Sequence, residues 1–511
     1  MDTTRSILRS AKIFFAGTLL SRFSGLARDM AMAYCFGSTP EVAGFMVAYR
    51  LAYVFRRLFG EGNIQAGFTP HFEQLRAASP REGALFYRDM AWSLGLMMWL
   101  IIAVLEGGLA LFCHFWLGDW REIASLSMWM LPALFFLCLY SLHSALLQCQ
   151  KKPFWAAAAP IAFNAAWVVS ACLASGTSHA MQILAIGVTL GYGLQWLLTG
   201  VQVRKELKLS WLDRLKPRLF SADWRAMLKP MTLGMIGVGA VQINSALDAI
   251  FARLAEPSGP AYLWYAIRLQ QLPLALFGIA LSSALLPPLA RAMRDGALER
   301  YRQLLKGALQ SSLTLMLPCT FALFALARAG INLLYGRGDF SPADVQATAI
   351  CLWAYAPALI PSVFVLLLAQ GFFAKKSYAI PTRSSVIAMG VNIALNALLV
   401  FGLGWGAASI AVATSVSAWV NCWILSRTLT APMPKNVSRL LVCSAVPAIA
   451  VFSLDAAWPL ERHFVGQLWQ FIANGTIYLG GLLGLAKILG VQEIFELVRK
   501  KSPVSEETGD F

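Results

Sequence analysis

Charge is what this sequence has least of. Only 13% of its 511 residues are Asp, Glu, Lys or Arg, against about 25% in a soluble domain. Polar linkers are missing too, although a soluble chain of this length would split into several domains joined by them. The nine cysteines are scattered and form no C-x-x-C pair. They therefore read as small apolar packing residues, not as a disulfide or metal framework. The five histidines show no paired ligand spacing. No G-x-x-x-x-G-K-[ST] loop is present, so no ATP-driven step is visible. These absences exclude a soluble enzyme, a DNA-binding protein and a disordered scaffold.

What is there is apolar length. Hydrophobic residues make up 58% of the chain, and the mean hydropathy is +0.61. Runs of about 20 apolar residues recur from end to end, each long enough to cross a bilayer as a helix. We expect an all-α polytopic membrane protein with about fourteen transmembrane helices. The spans fall near 10–35, 42–66, 89–117, 125–149, 154–175, 180–203, 227–252, 260–289, 307–330, 346–371, 378–400, 405–426, 438–457 and 465–490. Barrel strands would be about half as long and would alternate in polarity. The first run contains Arg22, Arg28 and Asp29 and ends in no small-residue cleavage site, which argues against a cleaved signal peptide.

The formal net charge is +16, and its placement is orderly. Thirty of the 42 Lys and Arg residues fall at the N-terminus, at 67–88, 151–152, 204–229, 291–306, 375–383 and 427–439, and at 499–501. The alternate connections carry only Arg121, Arg253, Arg337 and Arg462. Positive residues mark the cytoplasmic side, so both termini are expected there. Topology accounts for the basic excess, and a nucleic-acid partner is not needed. Of the eight basic residues inside spans, Arg328 and Lys487 lie near span ends and are expected to snorkel.

Residues 48–76 align without a gap on 266–294, with nine identical positions including Arg50/Arg268 and Pro70/Pro288. Each copy ends in a basic loop, so the repeat is parallel. Spans 1–6 (1–204) and 7–12 (230–430) are expected to form two pseudo-symmetric six-helix lobes around a cavity. The basic cytoplasmic linker 205–229 joins them. Two extra helices (431–498) and a polar cytoplasmic tail (499–511) follow.

Buried charge is costly in a bilayer and faces a wet cavity or a partner. The set Arg22, Arg28, Arg50, Arg56, Arg57 and Arg268 meets only two acids, Asp29 and Glu61. Internal pairs such as Arg28–Asp29 and Arg57–Glu61 absorb part of it. The surplus calls for an anion, and guanidinium groups grip phosphate in a bidentate way. A phosphorylated substrate is the expectation, moved by an ion gradient or the membrane potential. A second polar set comprises Asp248, Asn392, Asn396 and Thr414. Such oxygens suit a hard cation such as Na⁺. They equally suit hydrogen bonding between helices. Arg337–Gly338–Asp339 and the glycines of 402–406 read as turns.

Residues 22–37 (RFSGLARDMAMAYCFG) and 47–72 (VAYRLAYVFRRLFGEGNIQAGFTPHF) resemble the opening of the MurJ (MviN) lipid II flippases. So do 265–291 (YAIRLQQLPLALFGIALSSALLPPLAR) and 333–344 (LLYGRGDFSPAD). The resemblance covers essentially the whole chain. It implies the multidrug/oligosaccharidyl-lipid/polysaccharide exporter superfamily, a bacterial cytoplasmic membrane location, and no enzymatic activity. It implies that undecaprenyl-pyrophosphate-linked peptidoglycan precursor is flipped outward by alternating access. The last two helices would form a groove for its tail. The family's cavity arginines fall on Arg22, Arg28, Arg56 and Arg268, its recurrent acid on Glu61, and the Na⁺ site of some members on Asp248, Asn392, Asn396 and Thr414. Partners would be lipid II, membrane lipids and cell-wall synthesis enzymes. The sequence departs from the family at Ala43 and Ile267, where acids are usual, at Leu51–Ala52–Tyr53, usually Leu-Pro-Asn, and at Asn396, where Na⁺-binding members carry Asp. Export of another polyprenyl-pyrophosphate oligosaccharide or of an amphipathic molecule, and a non-transporting cell-envelope scaffold, are the competing readings.

Overall fold

A lipid bilayer offers no hydrogen-bond partners, so every spanning backbone group must be satisfied within its own segment. The computed structural model follows that constraint throughout. It describes residues 4–59, 63–207, 213, 216–430, 434 and 436–499, and among these all regular structure is helical. Among the described residues, ten helices or helix runs are long and apolar enough to cross a membrane. An eleventh is the pair Asp119–Met130 and Ala133–Cys149, bent by 40° at Leu131–Pro132, where proline removes a backbone donor. Three further helices, Thr4–Phe36, Pro40–Phe59 and Ala222–Ala255, have 33, 20 and 34 residues. They overlap the charged stretches near 10–35, 42–66 and 227–252, the second ending at Phe59.

Two differences from expectation share one cause. Residues 67–88 are helical, not a loop: Asn63–Ala78 is followed directly by Pro80–Phe115, with proline at its first position. Likewise Leu298–Ala325 starts nine residues before the expected span. Hydropathy detects only the part of a helix that lies in hydrocarbon, and these helices continue beyond it on polar turns. Only 11% of the most apolar window of Pro80–Phe115 is buried within the protein. An apolar face of that size belongs against lipid.

The chain divides into two units, Met1–Arg253 and Leu254–Phe511. In the first, Pro160–Ala174 packs on Thr4–Phe36 and on Ala180–Leu207. Small residues permit the second crossing: a Cβ at Gly191 would sit 3.1 Å from the Phe163 carbonyl oxygen. An aromatic core of Phe68, Phe72, Phe86, Tyr87 and Trp224 closes one end. The Ala222–Ala255 helix is tied to this unit along its length. His71 Nε2 meets Asp223 Oδ1 at 3.0 Å, Arg50 Nη1 donates to Ser245 Oγ at 3.1 Å, and Arg253 Nη2 donates to Asp119 Oδ2 at 2.8 Å.

The second unit has a leucine-rich core of Leu285, Leu305, Leu309, Leu313, Leu359, Leu367 and Leu425. Its Pro342–Tyr355 helix opens on Ser341 and Asp344, each capping the other's backbone, with proline at the first position. Gly338 (φ +64°) and Gly404 (φ +63°) supply the turns expected at 337–339 and 402–406. The two copies of the internal repeat fall one in each unit, on Pro40–Phe59 with Asn63–Ala78 and on the run Gly259–Arg294.

Gly191→Leu is expected to overpack the Pro160–Ala174 crossing and destabilise the protein by about 2 kcal/mol. A lowered midpoint of thermal unfolding in detergent, with unchanged helix content at low temperature, is the outcome to look for. An unshifted midpoint would mean that the crossing tolerates a side chain.

Candidate functional site

Arg28 lies on Thr4–Phe36 and is buried with Asp29. Its Nε and Nη2 donate to Asp29 Oδ1 at 3.0 and 2.8 Å. Its Nη1 donates to Asn164 Oδ1 at 3.2 Å. The guanidinium carbon stands 4.7 Å from the centre of the Trp167 ring, a cation–π arrangement strengthened by desolvation. Asn164 is itself fixed, donating to Ser24 Oγ at 2.8 Å and to Ser21 O at 3.4 Å. Tyr49 and Tyr192, hydroxyls 3.1 Å apart, complete the surround, with Tyr49 edge-on to Trp167 and Tyr192 stacked on Phe163. The Arg28–Asp29 pair expected as one alternative is therefore formed, and aromatic faces hold it.

Arg22, on the same helix, is exposed. Arg50 is half-buried and reaches Ser245. Arg56 and Arg57 sit on Pro40–Phe59, but their side chains, and Glu61 entirely, lie outside the described residues. Arg268, on Gly259–Pro273 in the second unit, is half-buried with its guanidinium carbon 4.4 Å from the Trp264 ring centre. Ala43 is fully buried, and Ile267 half-buried.

The second polar set divides between the units. Asp248 is buried and accepts from Asn244 Nδ2 at 3.3 Å. In the second unit, Asn396 Nδ2 donates to Asn392 Oδ1 at 3.0 Å, and Asn392 Nδ2 donates to Thr414 Oγ1 at 3.5 Å. The Asn392–Thr414 bond joins the Ala379–Ala397 and Ala408–Leu429 helices, as polar groups between helices do. Among the described residues no cluster of three His, Cys, Asp or Glu is placed to hold a metal.

Sequence reasoning missed two other clusters. Arg328 does not snorkel. Its Nη1 donates to the Asp455 carbonyl at 2.6 Å and lies 3.9 Å from Asp455 Oδ2. Asp455 Oδ1 also accepts from Gln470 Nε2 at 3.1 Å and Asn474 Nδ2 at 2.8 Å, all three residues being buried. An acid beside a span end and a 467/470/474 amide stripe at helical spacing were the available signals. Arg88, counted with a loop, is instead buried on Pro80–Phe115. It holds Asp89 Oδ1 through Nε and Nη2 at 2.8 and 2.6 Å, and Asp213 O through Nη1 at 2.6 Å. Asp89 and Ser93 in turn accept from the backbone amides of Arg218 and Phe220. The end of the basic linker is thereby strapped to the first unit.

The model of the family described as lipid II flippase MurJ matches residues 32–474. The chain belongs to the MurJ family. Proteins named "Probable lipid II flippase MurJ" from Chlamydia trachomatis and Vibrio cholerae are 29% and 30% identical to it. The first alignment covers 97% of both chains and the second 95% of both. A solved structure described as lipid II flippase MurJ in an inward closed conformation superposes with a TM-score of 0.77 at 22% identity, covering 95% of this chain and 99% of that one. An inward-facing multidrug resistance MATE transporter of the MOP superfamily gives 0.63 at 13% identity, over 82% of this chain and 98% of that one. These likenesses carry the fold, and family membership accords with a multi-pass transporter and not an enzyme.

Removing one member of a buried charge pair leaves the other uncompensated. Asp455→Ala is expected to destabilise the protein by about 3 kcal/mol through stranding Arg328. Asp455→Asn, which keeps an acceptor for the amides, should lose less. Unfolding midpoints of the two variants in detergent decide this: both lose the charge, so equal midpoints would remove the amide acceptor from the explanation, and an unshifted midpoint in both would remove the charge.

Proposed function

We propose that this chain moves lipid II, the undecaprenyl-pyrophosphate-linked peptidoglycan precursor, from the inner to the outer leaflet by alternating access. Family membership supports the substrate, and the observation that carries the chemistry is Arg28. It is a buried guanidinium with one carboxylate for a counter-ion, held in place by ring faces. A pyrophosphate entering this site replaces Asp29 Oδ1 as the acceptor of Nε and Nη2, and its two oxygens allow a bidentate grip. One ion pair is exchanged for another, so binding is specific without being so tight that release fails. Trp167 and Asn164 keep the guanidinium in position while its anion changes. Arg22, Arg50, Arg56, Arg57 and Arg268 supply the further positive charge for the head group, and Glu61 is the acid assigned to the same binding set.

In this reading the chain has fourteen spans. Three are the charged helices Thr4–Phe36, Pro40–Phe59 and Ala222–Ala255. Two six-helix lobes follow the internal repeat (1–204 and 230–430), and residues 431–498 line a groove for the lipid tail. Both termini face the cytoplasm, which the distribution of Lys and Arg supports. Outward movement of an anionic head group runs with an inside-negative potential, worth about 2.3 kcal/mol per charge per 100 mV. Cell-wall synthesis enzymes that consume the precursor are the expected protein partners.

The test is exposure of lipid II in cells that depend on this chain alone, read by an added enzyme that cleaves only outer-leaflet lipid II. The wild-type chain should support cleavage. Arg28→Ala and Arg268→Ala should abolish it at normal membrane levels, and Arg28→Lys should restore little, because the bidentate geometry is lost. Full cleavage with both alanine variants would overturn the arginine mechanism. No cleavage with the well-expressed wild-type chain would move the substrate to another polyprenyl-pyrophosphate.

A further inference from the structure

A groove of about 510 Å³ runs along the surface of the second unit between the Ile279–Arg294 and Leu298–Ala325 helices. Its floor is apolar, built from Leu281, Leu285, Leu304 and Ala308, with a notch at Gly307. Arg300 and Gln303 stand at one end and Ser311 at the other. Arg300 is exposed, and among the described residues it makes no hydrogen bond or ion pair. The connecting stretch 291–306 carries five basic residues and two acidic ones. One of the basic residues, Arg294, is already paired with Asp295.

The dimensions are informative. Arg300 and Ser311 are eleven residues apart on one helix, which is about 16 Å along its axis. The expected span opens at 307, so the Arg300 end of the groove lies on the polar turns at head-group level and the floor from Gly307 to Ser311 enters the hydrocarbon. Basic pockets between spanning helices on the cytoplasmic side suit anionic head groups.

We propose that this groove is a binding site for an anionic phospholipid of the inner leaflet, its phosphate on Arg300 and an acyl chain over Gly307. The leaflet assignment rests on the cytoplasmic placement of 291–306 proposed above. The occupant is a resident membrane lipid and not the flipped substrate, because an undecaprenyl tail is much longer than an acyl chain and overruns a groove about 16 Å long.

The full chain, reconstituted in phosphatidylcholine bilayers, would be labelled with photo-crosslinking probes of phosphatidylglycerol or phosphatidylcholine. The phosphatidylglycerol probe should label peptides from 279–311 about fivefold more, the effect of one basic residue near the surface. Arg300→Ala should remove that preference. Gly307→Trp should reduce labelling by both probes, since a side chain at this position enters open space and leaves the core untouched. Equal labelling by the two probes in the wild-type chain, or an unchanged preference in Arg300→Ala, would overturn the proposal. Displacement of the phosphatidylglycerol probe by equimolar undecaprenyl pyrophosphate would overturn it too, by assigning the groove to the substrate's tail. None of these outcomes depends on whether the chain flips lipid II.

Discussion

A guanidinium that leaves water for a helix bundle in hydrocarbon must find its counter-charge inside the protein. Much of this molecule is arranged around that requirement. Arg28 folds onto Asp29, Arg88 onto Asp89, and Arg328 against Asp455. Each pair joins at least two segments: Thr4–Phe36 to Pro160–Ala174, Pro80–Phe115 to the linker at Asp213, and Ala327–Tyr335 to Val437–Ala457 and Phe464–Ile488. Because a broken buried pair is far more costly than a formed one is favourable, these contacts act mainly as constraints on which helices lie together. Apolar packing supplies adhesion without direction. The ion pairs supply register.

Much of the architecture was legible from apolar run length, because a bilayer admits little besides helices. Span positions such as 180–203 and 438–457 correspond closely to Ala180–Leu207 and Val437–Ala457. Helix ends were less legible. Polar turns beyond the hydrocarbon, as in Asn63–Ala78, carry no hydropathy signal, and only capping chemistry such as Ser341–Asp344 marks a terminus. For the site, scarcity was the guide. Charges that should not be in a span stand out, and Arg28 and Arg268 are conspicuous on that ground. Asn164, Trp167, Tyr49 and Tyr192 are not, since an amide or an aromatic ring in an apolar run is ordinary. Only the fold shows that four such residues meet around one guanidinium.

Charge counting also has a specific weakness. It treats a Lys or Arg near a span end as a topological marker or a snorkelling group, which is adequate for the exposed Lys487. It fails for Arg328 and Arg88, because their acids are supplied from elsewhere in the chain or from the next residue. Whether a basic residue is solvated or paired depends on the neighbours that folding brings, which no local window contains.

The two Arg-Asp dipeptides make the point most directly. At 28–29 and 88–89 the side chains adopt nearly the same geometry, with Nε and Nη2 on the neighbour's Oδ1. They differ in the remaining nitrogen. Arg88 Nη1 is spent on a backbone carbonyl of the linker, and Asp89 on a backbone amide. Any competing anion would have to unfasten the strap, so this pair is structural. Arg28 Nη1 is held by a side-chain amide, and its guanidinium lies over an aromatic ring. Those partners tolerate a change of anion without a change of backbone. One pair is therefore suited to fastening the fold and the other to exchanging its counter-ion. The difference lies in residues more than 100 positions away in sequence.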